Sequence, residues 1–196
     1  MGRPSLVATR TEQLLAAVEA VILRDGVAGM TIAAVARESG LLPSHVHHYL
    51  GSREQALSAA VDRAIDRIEQ LLAQAARAAP SDGELDAQLD ALFSPAVDDP
   101  GIELMLEHLV VATHHDAHVR TRMTAVYQHF VATLTASLAD AAPQVPVERR
   151  AEVATAILAL ADAAPSMVRL AAHPSARAHL RSAAAVLVAD LTRPQP

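Results

Sequence analysis

The segment from Thr31 to Tyr49, TIAAVARESGLLPSHVHHY, constrains the fold more than any other part of the sequence. It predicts two short helices joined by a tight turn. Thr31 is a good N-cap for the first helix, and Gly40 supplies the left-handed residue that ends it. Pro43 suits the first position of a second helix, where its missing N–H removes no hydrogen bond. A chain with this segment is therefore expected to contain a helix-turn-helix.

The second of these helices has one apolar side and one polar side. Val46 and Leu50 are spaced one helical turn apart, so both are predicted to face inward. The outward side is left to a hydroxyl and several imidazoles, on Ser44, His45, His47 and His48. A short helix of this kind fits the recognition helix of a DNA-binding protein, which enters the major groove.

Composition indicates an all-α protein of one large or two modest domains. Hydrophobic residues make up 52% of the 196 residues, but aromatic residues only 2%, which favours close-packed helices rich in Ala. The absence of Cys excludes disulfides, thiolate zinc sites and cysteine nucleophiles. We expect no signal peptide and no apolar run of membrane-spanning length, so a cytoplasmic protein fits.

The net charge of −6 is unevenly distributed along the chain. Residues 1–56 carry five Arg, at 3, 10, 24, 37 and 53, against five acids, at 12, 19, 25, 38 and 54. The remainder of the chain therefore carries the whole negative charge. The amino-terminal part is less repelled by phosphate but is not a basic patch, which predicts modest DNA affinity with strong salt dependence.

Polar residues before apolar stripes predict where the other helices begin. Thr9 with Glu12 forms a capping box, and Ser52 with Gln55 forms another. Further starts are predicted at Ser81, Asp99-Pro100 and Asp116, and two closing helices over Val147 to Ala172 and Ala176 to Leu191.

Residues from Thr9 to about Ala60 resemble the DNA-binding domain of the TetR family of transcriptional regulators. The resemblance lies in the joint order and spacing of the Leu14/Ala17/Val18 stripe, Gly26, Thr31-Ile32-Ala33, Val35-Ala36, Ser39-Gly40-Leu41, His48-Tyr49-Leu50 and Ser52-Arg53-Glu54. Three positions depart from the family pattern. Leu42 replaces a Ser or Thr cap, His47 replaces a phosphate-contacting Tyr, and Leu50 replaces a Phe.

The resemblance implies a fold and a function. The fold is a three-helix helix-turn-helix DNA-binding domain, residues 1–51, followed by a helical ligand-binding and dimerisation domain, residues 52–196. The function is that of a homodimeric repressor, whose binding to a palindromic double-stranded DNA operator is modulated by an unidentified small molecule. No cofactor, no membrane partner and no catalytic residue are expected.

The candidate DNA-binding residues follow from the helix-turn-helix and the resemblance together. Arg3 belongs to a short arm that either reaches the minor groove or is an incidental charge. Arg53 lies in the first turn of a helix, where a cation is unfavourable unless a phosphate also docks there. Tyr49 either directs its hydroxyl towards DNA or is fully buried. The candidates are Arg3, Thr31, Pro43, Ser44, His45, His47, His48, Tyr49 and Arg53.

The resemblance also implies a small-molecule pocket in the carboxyl-terminal domain. Pro165 is expected to bend the penultimate helix and free the carbonyl of Ala161. Met and aromatic residues at helical spacing can equally form simple core. The candidate lining consists of Phe93, Met105, His108, Leu109, Met123, Tyr127, Phe130 and Met167.

A second group of histidines permits a metal hypothesis. Its members are Glu107, His108, His114, His115, Asp116, His118 and His129. His114 and His118 would share one face if a single helix ran through them. Asp116 is expected to begin a new helix, however, and histidines near a helix carboxyl end are favourable for dipole reasons alone. No metal site is therefore predicted.

The two closing helices carry apolar stripes at alternating steps of three and four residues. The stripes can be buried within one subunit or against a second copy. The resemblance favours a four-helix bundle across a two-fold axis, which would also place two recognition helices on successive half-sites. The candidate interface is Val153, Ile157, Leu160, Leu180, Ala184, Leu187 and Leu191.

Two other classes of function remain open at this stage. A helical protein-interaction module with a degenerate helix-turn-helix would explain the neutral amino-terminal charge and the missing cap at Leu42. An enzyme with a His/Asp metal site is less favoured, because no nucleophile is paired with a base at a recognisable spacing.

Overall fold

The computed structural model of the chain describes residues 6–78, 83–170 and 175–193. Within these ranges the chain is helical and contains no β-strand, which confirms the all-α prediction. The helices are α1 (Leu6–Gly29), α2 (Ile32–Ser39), α3 (Pro43–Leu50), α4 (Arg53–Ala78), α5 (Glu84–Leu92), α6 (Pro100–Ala112), α7 (Ala117–Ala141), α8 (Val147–Arg169) and α9 (Ala176–Thr192), with one 3₁₀ turn at Pro95–Val97.

The chain forms two compact units. Unit 1 comprises Met1–Arg67 and Asp99–Thr124, and unit 2 comprises Ile68–Asp98 and Ala125–Pro196. Helices α4 and α7 each contribute residues to both units. The units therefore group the chain differently from the predicted functional segments 1–51 and 52–196, whose boundary stays a prediction.

The helix-turn-helix forms as predicted from local signals. The Thr31 hydroxyl accepts a hydrogen bond from the Ala34 N–H at 3.1 Å and begins α2. Gly40 ends α2 with a left-handed φ of 70°. Pro43 begins α3, whose Val46 and Leu50 are buried. The contacts of α2 and α3 with each other and with α1 hold these helices in unit 1.

Helix α1 differs from its prediction at both ends. It is already helical at Leu6, so Thr9 lies inside the helix and the capping box with Glu12 is wrong. Towards its carboxyl end the backbone leaves the helical region at Gly26, with φ 71° and ψ 177°. Helix α6 packs on α1 in unit 1, and His108 of α6 lies beside Gly26.

The other caps are mostly as predicted. Ser52 and Gln55 form a reciprocal capping box, with the Gln55 side chain accepting from the Ser52 N–H at 2.8 Å. Asp99 accepts from the Gly101 and Ile102 N–H groups at 3.0 Å each and begins α6. Gly83 occupies the N-cap of α5, and the predicted start at Ser81 lies outside the described residues.

Unit 2 has its own apolar core, formed by α5, α8, α9 and the carboxyl-terminal part of α7. Leu138 and Ile157 are fully buried there, and α8 pairs with α9. Arg177 of α9 donates to both oxygens of Asp98, at 2.8 and 2.6 Å. Arg181 donates to Asp90 at 2.7 Å and thereby ties α9 to α5.

Helix α8 requires a correction to the sequence analysis. Among the described helices it alone is long and apolar enough to cross a membrane, although no such run was expected. Length and composition are weak evidence, because core helices pass the same test. Val153, Ala154 and Ile157 of α8 are buried in the core of unit 2, which accounts for part of the apolar composition.

The backbone conformation of Gly26 predicts that a substitution there lowers the stability of the protein. Its φ and ψ fall in a region that is essentially restricted to glycine, whereas an added Cβ would meet His108 Nδ1 only at an ordinary 3.6 Å. We expect Gly26→Ala to lower the free energy of unfolding by about 1–3 kcal/mol through backbone strain. Urea denaturation of the full chain measures this loss.

The matched control is Gly83→Ala. Gly83 has a φ of −130° and nothing within 4 Å of an added Cβ, so the loss should stay below about 1 kcal/mol. Equal losses in the two variants would contradict the assignment of strain to Gly26.

Candidate nucleic-acid interface

The outer face of α3 presents polar side chains to solvent. Ser44, His45, His47 and His48 are exposed, and Tyr49 is half-buried. The His48 and Tyr49 rings meet edge to face with centroids 4.8 Å apart. The half-buried ring of Tyr49 excludes the fully buried alternative. Hydroxyl and imidazole groups on one exposed face can hydrogen-bond to base edges or phosphates.

His47 has an additional contact inside the chain. Its Nδ1 lies 3.1 Å from the Gly51 carbonyl oxygen at the carboxyl end of α3. The carbonyl can only accept, so the Nδ1–H donates, which leaves Nε2 as the acceptor of the neutral ring.

The amino end of α3 lacks a polar cap. Leu42 occupies the N-cap position, forms no side-chain cap hydrogen bond and is 63% exposed. A Ser, Thr, Asp or Asn cap would typically add about 1 kcal/mol of stability there. Pro43 beside it is also exposed. Thr31, by contrast, uses its hydroxyl to cap α2, and Arg3 lies outside the described residues.

Arg53 has internal partners where a phosphate was expected. Its guanidinium donates to the Met30 and Val27 carbonyl oxygens at 2.8 Å each, and lies 3.4 Å from the Asp116 carboxylate. Its side chain is 30% exposed. The carbonyls at the end of α1 and the carboxylate that caps α7 therefore explain the cation in the first turn of α4. A DNA contact by Arg53 stays a prediction with no geometric support.

Asp116 forms an ion pair with Arg53 that the sequence analysis missed. It caps α7 as predicted, accepting from the His118 and Val119 N–H groups at 3.0 and 3.1 Å. The hydrogen bond from Val119, aided by the Arg53 guanidinium, holds the pKa of Asp116 below its ordinary value. Asp116 therefore remains ionised and opposite Arg53 at neutral pH. No local spacing signals a pairing between residues so far apart in sequence.

The acidic residues of the amino-terminal segment have partners within unit 1. Helix α3 contains no acidic residue. Each acid of residues 1–56 has a partner in unit 1, and these pairs are Glu12 with Arg63, Glu19 with Arg63, Asp25 with Arg24, Glu38 with Arg24, and Glu54 with the Ser52 hydroxyl. Arg63 contributes a positive charge from beyond residue 56. Paired carboxylates repel phosphate less than free ones.

The candidate ligand residues fall into two separate groups. Met105, His108, Leu109 and Met123 belong to unit 1, where all but the half-buried His108 are buried. Phe93, Tyr127, Phe130 and Met167 belong to unit 2. Phe93 is buried in the core of unit 2, whereas Met167 is 37% exposed. The pocket lining stays a prediction for all eight residues.

Unit 2 also contains a polar pair that the sequence analysis did not identify. The Tyr127 hydroxyl is hydrogen-bonded to the Asp162 carboxylate. Desolvation raises the pKa of Tyr127, and the neighbouring Asp162 charge raises it further. Asp162 itself is exposed to solvent. The pair adds a directional polar group beside the candidate residue Phe130 on α7.

The histidines of the metal hypothesis are dispersed. The turn capped by Asp116 separates His114 from α7, so His114 and His118 do not share a helix. His118 Nε2 pairs with the Ser58 hydroxyl at 2.8 Å, and His129 Nε2 pairs with Glu69 at 3.0 Å. Across the part of the chain that the structure describes, no group of three potential ligands is suited to a metal.

The candidate dimer residues also need a correction. Val153, Ile157, Ala184 and Leu191 are at most 6% exposed and lie in the core of unit 2, so these side chains cannot face a second copy. Leu160, Leu180 and Leu187 are half-buried against the same core. The α8–α9 hairpin buries its stripes within one subunit. Its exposed face instead includes Thr155, Ala159, Ser182, Ala183 and Val186.

Comparison with known proteins identifies the fold. No protein-family profile matches the sequence, and no curated protein matches it. A putative transcriptional regulator from Pseudomonas aeruginosa PAO1 has a TM-score of 0.77 and 19% identity, over 94% of this chain and 90% of that one. A putative TetR-family transcriptional regulator from Rhodococcus sp. has a TM-score of 0.73 and 19% identity, over 91% and 98%.

A third similar structure is the multidrug binding protein EbrR in complex with malachite green. Its TM-score is 0.65 at 21% identity, over 91% of this chain and 97% of that one. The chain therefore has the fold of TetR-family transcriptional regulators, with a helix-turn-helix domain followed by a helical domain. The predicted fold is confirmed.

The contacts of Arg53 predict that its removal lowers the stability of the protein. Removing the guanidinium takes a donor away from two backbone carbonyls and a carboxylate, although the Val27 carbonyl keeps the Met30 N–H at 3.2 Å. We expect Arg53→Ala to lower the free energy of unfolding by about 2 kcal/mol, mostly through the carbonyls, because the partly exposed ion pair adds less than about 1 kcal/mol. Urea denaturation without DNA measures the change.

Arg10→Ala provides the matched control. Arg10 donates only to Gln13 on the same exposed helix face, so its loss should change stability by less than about 0.5 kcal/mol. If Arg53→Ala proves equally neutral, the internal role of Arg53 is refuted.

Proposed function

We propose that this chain is a TetR-family transcriptional regulator that binds double-stranded DNA through α3. The observation that carries the proposal is the exposed imidazole and hydroxyl face of α3, the second helix of a helix-turn-helix. The fold shared with solved regulators over more than 90% of the chain supports it. The ion pairs of Asp25, Glu38 and Glu19 lessen the repulsion between these carboxylates and phosphate.

Selection from a random DNA duplex pool by the full-length chain tests this proposal. The expected result is an inverted repeat whose half-sites are separated by about one helical turn, on the order of 34–36 Å. His45→Ala should weaken binding to the selected duplex by roughly tenfold, within the range for one lost base contact. His115→Ala, an exposed histidine in the turn after α6, should not. Failure to select any sequence would favour the helical protein-interaction module instead.

We infer that two copies associate through the exposed face of the α8–α9 hairpin. This face is rich in small residues, such as Ala159 and Ala183, which permit close helix approach. Val186 on this face is 68% exposed, so its apolar side chain is available for contact with a second copy. Two-fold association would place one α3 on each half-site of an inverted repeat.

Sedimentation of Val186→Arg measures this association. A buried, unpaired guanidinium would be costly at an interface, so we expect the variant to be monomeric at concentrations where the wild type is dimeric. Val111→Arg is the control, since Val111 is 62% exposed on α6, outside this face. A dimeric Val186→Arg protein would move the interface elsewhere.

We further propose that a small molecule releases the protein from its operator and that the protein acts in the cytoplasm as a repressor without catalytic activity. The similarity to EbrR, solved with malachite green, supports a ligand-responsive helical domain. The Tyr127–Asp162 pair beside Phe130 supplies polar and aromatic groups for such a ligand in unit 2. A screen for compounds that displace the selected duplex tests this part.

A further inference from the structure

The amino end of α3 combines two features that work against the stability of the free protein. Leu42 takes the N-cap position without a cap hydrogen bond, although a hydroxyl or carboxylate would stabilise the helix there. Its side chain is also 63% exposed, whereas Leu50 at the other end of the same helix is 7% exposed. The Leu42 side chain therefore neither caps the helix nor is buried in the core.

The position of Leu42 coincides with the part of a recognition helix that reads DNA. Base contacts in helix-turn-helix proteins come from the amino-terminal residues of the second helix. Leu42 and the exposed Pro43 form a small apolar patch at this end, followed directly by the polar Ser44 and His45. In a complex, this patch would enter the major groove together with the hydrogen-bonding groups.

The chemistry of the major groove limits what an apolar side chain can recognise there. Base edges expose hydrogen-bond donors and acceptors, and their one apolar group is the 5-methyl of thymine. A leucine placed against a donor or acceptor would desolvate it without replacing its hydrogen bond. A leucine placed against a methyl group buries two apolar surfaces.

We infer that Leu42 is a specificity-determining residue that contacts the methyl group of a thymine in each operator half-site. The inference rests on the proposed function, since it requires α3 to enter the major groove. It explains both the missing cap and the exposed side chain, because burial against thymine is available only in the complex. The preference for thymine over other bases at one position would then come from apolar contact, independently of the histidines.

Replacement of single thymines by deoxyuridine tests the contact directly. This change removes the 5-methyl group and leaves every hydrogen-bonding group of the base pair in place. The duplex selected by the wild-type chain is substituted one thymine position at a time, and its affinity is measured with wild type, Leu42→Ala and Leu42→Ser. Leu170→Ala is the control, because Leu170 is 72% exposed but belongs to unit 2 and is far from α3 in sequence.

The expected result is a coupling between one methyl group and one side chain. For the wild type and Leu170→Ala, deoxyuridine at one position should weaken binding about fourfold per half-site and about fifteenfold when both half-sites are changed. Leu42→Ala and Leu42→Ser should bind the thymine and deoxyuridine duplexes equally. Leu42→Ser should also raise the midpoint of thermal unfolding, since serine restores a cap.

The outcomes separate the inference from the function on which it rests. If no duplex is selected, the proposed function fails and the inference fails with it. If a duplex is selected but no thymine methyl affects wild-type binding, or if the methyl effect persists unchanged in both Leu42 variants, DNA binding stands and the thymine contact is overturned.

Discussion

The guanidinium of Arg53 is the interaction on which the arrangement of unit 1 depends most. It joins the end of α1, through the Met30 and Val27 carbonyls, to the start of α4, on which it lies, and to the cap of α7, through Asp116. The Val27 carbonyl also accepts from the Met30 N–H, and one planar cation with several donors can serve both carbonyls together. The same residue thus completes α1 and fixes two other helix starts beside it.

The Arg53–Asp116 pair connects the turn between α6 and α7 to the start of α4. Asp116 belongs to the turn between α6 and α7, and α6 packs on α1 through residues that include His108 beside Gly26. A change in the position of the α6–α7 turn would therefore alter contacts at the end of α1 and the start of α4. These elements flank the helix-turn-helix in sequence, so a shift of this turn would be transmitted to it within unit 1.

The charges of residues 1–56 show that a sum over a sequence segment does not describe a protein surface. The sum over residues 1–56 is zero, which argued for modest affinity at best. In the structure Arg63 of α4 pairs with Glu12 and Glu19, and Arg24 pairs with Asp25 and Glu38. What a phosphate encounters depends on which charges are already neutralised by neighbours, and residues distant in sequence decide this.

The sequence by itself determined those features that depend on neighbours within one helical turn. The caps at Thr31, Ser52, Asp99 and Asp116, the left-handed Gly40 and the exposed polar face of α3 all follow from local geometry, and all were predicted. Only the tertiary structure decided the partner of Arg53, the burial of Val153 and Ile157 within one subunit, and the dispersal of the histidines. The physical reason is that helical periodicity shows which side chains share a face but not which other helix covers that face.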